Sequence, residues 1–174
     1  TSDILLQLPS INTSPAEISW INNHKLIYVL PTKNNEQAKL RIYDLQSREY
    51  SDWGPGSIPK PSPNGQWIAY LKGTGEDAQL WLRDNTRGVT TQLSQISGGL
   101  SGPYKFSYDF IWLPDSKRIV LTYQPHTKPW EKKERPKSKI ILINRETRRH
   151  QLLTEIDASV LYPAWLPGTD RIVF

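Results

Sequence analysis

Trp112-Leu-Pro-Asp-Ser-Lys-Arg-Ile-Val-Leu121 packs a tryptophan, a proline-led turn and an apolar strand into one short run. Proline supplies the φ near −65° that a tight turn wants at its second position, and Asp tolerates the reversal that follows. The stretch is not unique. Trp165-Leu-Pro-Gly-Thr-Asp-Arg-Ile-Val-Phe174 repeats it, Ser62-Pro-Asn-Gly-Gln-Trp-Ile-Ala-Tyr70 repeats it with serine in the tryptophan position, and Trp20-Ile-Asn-Asn-His-Lys-Leu-Ile-Tyr28 repeats it without the proline.

Working outward, a second module follows each of the first three copies. It reads Leu40-Arg-Ile-Tyr-Asp44, Leu80-Trp-Leu-Arg-Asp84 and Ile140-Ile-Leu-Ile-Asn144, each continuing into a polar turn. An Asp or Asn at a strand end can accept hydrogen bonds from the backbone of the turn it opens. Polar outer strands close the units at Tyr50–Trp53, Thr91–Leu93 and Gln151–Leu153. The anchors Trp20, Ser62, Trp112 and Trp165 stand 42, 50 and 53 residues apart. Periods of roughly 40–50 residues built from four short strands are those of β-propeller blades.

The expected fold is therefore all-β, a β-propeller of four-stranded antiparallel blades, with about three complete blades and partial blades at both ends. The boundaries are 1–15 (an outer strand of a preceding blade, within which Asp3–Leu8 is the strand), 16–57, 58–107, 108–159 and a half blade at 160–174. Leu26, Tyr28, Ile68, Tyr70, Ile119, Leu121, Ile172 and Phe174 are expected at equivalent second-strand positions, facing between blades. A stop in the middle of the fourth copy suggests a segment of a longer propeller, whose open edges would favour self-association.

Composition agrees. Fourteen prolines and ten glycines in 174 residues suit a turn-rich β protein, and no apolar run approaches the roughly 18 residues of a membrane helix. The absence of cysteine excludes disulfides, thiolate catalysis and cysteine-bound zinc. The net charge of +5 is local, because Lys128 to Arg149 contains nine Lys or Arg against three Glu.

The repeat resembles the Trp-Ser-Pro-Asp-Gly-x-x-Ile-Ala-Phe signature of the TolB-like (WD40-like) propeller family. The same repeat occurs in the propellers of dipeptidyl-peptidase and prolyl-oligopeptidase relatives. The resemblance covers residues 16 to 174 with gaps at two insertions. It implies a binding scaffold in the periplasm or another extracytoplasmic compartment. The alternative it implies is a substrate-gating propeller of an oligopeptidase-like serine hydrolase whose catalytic domain lies elsewhere.

No catalytic, cofactor-binding or metal-binding residues are assigned. The Gly-x-Ser-x-Gly elbow is absent, and Gly98-Gly-Leu-Ser-Gly102 misses its spacing. His24, His126 and His150 are isolated, and read as solvated or locally bonded side chains. Trp20, Trp112 and Trp165 recur with the period and read as packing between blades.

Two insertions break the repeat, Ser94–Phe106 and Tyr123–Lys139. Alternate connections of a four-stranded meander emerge at one end, so both should project from the same rim. Tyr104, Lys105, Trp130, Lys132, Lys133, Arg135 and Lys137 are the expected partner-binding residues there, and the expected partner is a protein. Interleaved glutamates and the lack of regular aromatic stacking positions argue against nucleic acid.

Overall fold

The computed structural model describes residues 17–30, 37–74, 77–96, 108–124, 137–157 and 162–173. The expected strand at Asp3–Leu8 and the position of Phe174 lie outside these residues. Fourteen strands and no α-helix are present among them.

Three antiparallel four-stranded sheets follow one another in simple meander order. The first is β1 (Ile18–Trp20), β2 (Lys25–Leu30), β3 (Lys39–Asp44) and β4 (Glu49–Pro55). The second is β5 (Ser57–Pro61), β6 (Trp67–Lys72), β7 (Gln79–Asp84) and β8 (Thr90–Gln92). The third is β9 (Tyr108–Trp112), β10 (Arg118–Tyr123), β11 (Ser138–Asn144) and β12 (His150–Ile156). A hairpin of β13 (Ala164–Leu166) and β14 (Arg171–Val173) begins a fourth. Two edges differ from the sequence reading. The outer strand of the second blade stops at Gln92 because Leu93 and Ser94 turn inward, both amides donating to the Leu80 carbonyl. The third blade keeps Tyr123, Ser138 and Lys139 within its strands, so its insertion starts later and ends earlier than expected.

The turns form as their residues dictate. Asn22 Oδ1 accepts from the amides of His24 and Lys25, Asn64 Oδ1 from Gln66, and Asp115 Oδ1 from Lys117 and Arg118, at 2.8–3.1 Å. Pro63 and Pro114 open i to i+3 turns that close through a left-handed residue, Gly65 (φ 70°) or Ser116 (φ 55°). At the second hairpin of each blade, Asp44, Asp84 and Asn144 each accept from the amides two and three residues on.

Strand register makes Leu26, Ile68, Ile119 and Ile172 equivalent, and likewise Tyr28, Tyr70 and Leu121. Because side chains alternate across a strand, each blade has a leading face, toward the blade before it, and a trailing face, toward the blade after. Ile27 and Leu40 on the trailing face of the first blade pack in one cluster with Ile68 and Tyr70 of the second. Ala69, Leu71, Leu80 and Leu82 of the second pack with Phe110, Ile119, Leu121 and Ile143 of the third. Val120 and Ile140 of the third meet Trp165 and Ile172. Each fully buried aliphatic side chain stabilises by roughly 1.5–3 kcal/mol, so the stacking of blades is the main source of cohesion.

Trp20 departs from expectation. Trp112 and Trp165 pack into inter-blade clusters, whereas Trp20 is 57% exposed. Its leading face meets no preceding blade among the described residues.

Candidate functional site

The third blade sets the geometry of the decorated rim. Tyr123 pairs with Tyr108 on one side and with Lys139 on the other, so the ends of β9, β10 and β11 form one row. The chain enters that row at Tyr108, and leaves and re-enters it at Tyr123 and Ser138. Both insertions are therefore rooted at the same edge of the blade, opposite the capped turns.

Of the seven residues read as partner-binding, Lys137 is exposed at this root. Tyr104, Lys105, Trp130, Lys132, Lys133 and Arg135 lie outside the described residues. Next to Lys137, Lys139 pairs with Glu155 across β11 and β12 at 3.2 Å. Both groups are partly solvated, so the pair contributes on the order of 0–1 kcal/mol. Tyr123 beside them is nearly buried, and that burial raises its phenol above the usual value.

The root of the first insertion is held by a polar clamp that no sequence motif announces. Gln79 at the start of β7 accepts from Ser94 Oγ (2.7 Å) and the Ile96 amide (2.9 Å) and donates to the Ile96 carbonyl (2.8 Å). Buried Ser94 Oγ also accepts from the Leu80 amide at 2.8 Å. Four hydrogen bonds thus fix where this connection leaves the second blade. On the same rim, a shallow cleft of about 410 Å³ opens between Gln37 of the first blade and Lys72, Asp77, Trp81 and Gln92 of the second. Lys72 Nζ lies 4.5 Å from the centre of the Trp81 ring, a cation–π contact.

Polar groups also pin the innermost strands to one another. Ser19 Oγ donates to the Pro59 carbonyl at 3.0 Å, Lys60 Nζ to Asp109 (2.6 Å) and the Phe110 carbonyl (2.7 Å), and Trp112 Nε1 to the Lys60 carbonyl (2.8 Å). Ile58, in the left-handed region at φ 51°, donates its amide to Glu17. Glu17 remains partly open to solvent. Atoms crowding its carboxyl still raise the pKa above the usual carboxylate value, against the opposing pull of the Ile58 amide and Lys60. Farther out, Arg83 stacks over Trp53 and Arg145 over Trp67, each linking one blade to the next. These pins make the stack a rigid platform beneath the rim.

The histidines are locally engaged where they are described. His24 sits in the first turn, and His150 Nε2 lies 2.9 Å from the Leu93 carbonyl of the neighbouring blade. His126 lies outside the described residues, and no grouping of three metal-ligating side chains occurs among those described.

No protein-family model and no curated protein sequence matches the chain. Solved structures do. The β-propeller domain of the Trilobed protease from Pyrococcus furiosus superposes with a TM-score of 0.60 at 17% identity, over 90% of this chain and 47% of that one. TolB from Acinetobacter baumannii gives 0.60 at 16% identity, over 87% and 34%. Pyrococcus horikoshii acylaminoacyl peptidase gives 0.59 at 18%, over 81% and 25%. The chain thus spans between a quarter and a half of these proteins, and the likeness at such identities establishes the fold. It is the propeller fold of both groups that the sequence repeat resembles.

Proposed function

We propose that this chain is a propeller scaffold that binds a protein partner through its insertion-bearing rim and carries no chemistry of its own. The observation supporting this most directly is the common root of the two insertions along the row Tyr108, Tyr123 and Lys139. A loop pair anchored side by side on a rigid stack is the arrangement by which scaffolds carry recognition. In this reading Lys132, Lys133, Arg135 and Lys137 steer an acidic partner face, and Trp130 buries on contact as the anchor, with Tyr104 and Lys105 beside it. The TolB-like resemblance favours an extracytoplasmic location. No helix among the described residues is long and apolar enough to cross a membrane.

The alignment with peptidases favours a second reading, in which the segment is the propeller part of an oligopeptidase-like hydrolase and the rim gates substrate. The two readings separate by experiment. Immobilised chain is exposed to an extract of its source, beside a variant carrying Lys132→Glu, Lys133→Glu and Arg135→Glu, at low and high salt. The scaffold reading expects capture of a protein by the parent at low salt only, and loss of that protein with the variant. Equal capture by both forms would contradict a role for the rim.

A further inference from the structure

The blade–blade interface is built three times in this chain, between the first and second, second and third, and third and fourth units, and always in the same way. A trailing face supplies residues such as Ile27, Ala69 and Val120, all 0% exposed. A leading face receives them with residues such as Phe110 and Ile119, also 0% exposed. The inner strands then lock at one register. Ser19 Oγ reaches the Pro59 carbonyl, and Lys60 Nζ, at the position equivalent to Ser19, reaches the Phe110 carbonyl, at the position equivalent to Pro59.

Two faces carry the same pattern and stand open. On the leading face of the first blade, Ile18 and Trp20 are 52% and 57% exposed, although Phe110, the counterpart of Ile18, is fully buried. On the trailing face of the β13–β14 hairpin, Leu166 and Val173 are 41% and 51% exposed, while their counterparts Leu113 and Val120 are at 2% and 0%. Register fixes these equivalences: Val173 pairs with Ala164 as Val120 pairs with Ile111. The open trailing face is thus the kind that every leading face in the molecule already receives. The open leading face is its complement.

We propose that these two faces are the halves of a fourth such interface, filled head to tail by a second copy of this chain. The contact is heterologous, so a rotation that closes gives a ring of copies and one that does not gives an open array. Its register is fixed by the three interfaces present: Ala164 of one copy lies against Ile18 of the next, as Ser19 lies against Pro59. The inference rests on the blade stack and not on the rim, so either can fail without the other.

The chain has no cysteine, which makes the test direct. Ile18→Cys and Ala164→Cys are prepared as separate single variants, mixed and oxidised, beside a control mixture of Ser19→Cys with Ala164→Cys. Sedimentation equilibrium of the parent chain is measured alongside. The expected result is association above the monomer mass, a disulfide joining the Ile18→Cys chain to the Ala164→Cys chain, and none in the control. A Trp20→Arg, Val173→Asp double variant should return to the monomer mass with an unchanged β circular-dichroism spectrum. A folded parent that stays monomeric and forms no such disulfide overturns the proposal and means that a blade in cis, or nothing, covers these faces. Equal cross-linking in the control overturns it as well.

Discussion

Asp44, Asp84 and Asn144 show how much one residue type at one position decides. Each ends the third strand of its blade, and each carboxyl or amide oxygen takes the two amides of the turn. The chemistry is local, so the sequence alone revealed it. Replacing Asn144 by alanine should lower stability by about 1 kcal/mol, read from a denaturant midpoint at unchanged m-value. Asp44 and Asp84 add a pH dependence. The Gln46 amide, foremost, holds Asp44 below the ordinary aspartate value of 3.8, and the Arg87 amide does the same for Asp84. A carboxyl with a depressed folded pKa stabilises the fold above 3.8 and loses that contribution as the pH falls through the folded value. An Asp44→Asn, Asp84→Asn variant keeps the acceptors, as Asn144 does naturally, but cannot titrate. Its melting temperature should fall less than the parent's below that pH; parallel curves would contradict the assignment. Glu17 works the other way, since its raised pKa makes its ionised form the less favourable one in the fold. Nothing in the sequence pointed to Glu17, Lys60 and Asp109, because their partners sit on other blades and depend on how one sheet rotates against the next.

At the scale of strands, alternation did most of the work. Ile68, Ile119 and their equivalents were readable from period-two patterning after a turn, because a one-residue slip would turn the whole apolar set outward. What patterning missed were irregularities. Register shifts at Leu40/Arg41 and at Ile140/Ile141 fall at equivalent places in the first and third blades, where one extra residue bends the outer strand. Ile119→Ala should cost about 2–5 kcal/mol, since it empties a site in the cluster shared by the second and third blades. The same truncation of Leu152, 52% exposed on the outer strand β12, should stay within about 0.5 kcal/mol. Comparable losses at the two sites would mean that the faces are assigned the wrong way round. Trp20 belongs to this scale too. Its period marks it as an interface residue, but burial requires a neighbour that strand-level reading cannot supply.

Across the molecule, the blades form a sequence of contacts in which each touches the next, and both function proposals depend on that order. The decorated rim needs a rigid platform, and the open end faces need the repeated interface. Blade number and order were legible because the repeat is written in tryptophans, prolines and capping residues. The Gln79–Ser94 clamp and the cleft beside Lys72 were not, since they arise where neighbouring blades and connections meet. The most direct test is a nuclear Overhauser map of isoleucine, leucine and valine methyls together with the tryptophan indoles. The stacked-blade account predicts contacts between the Ile27/Leu40 and Ile68 methyls, contacts between the Leu80/Leu82 and Ile119/Ile143 methyls, a Trp112 indole proton near Lys60, and none between the first and third blades. Methyl contacts between Ile27 and Ile119 would place the first sheet directly on the third, as in a sandwich, and would contradict it.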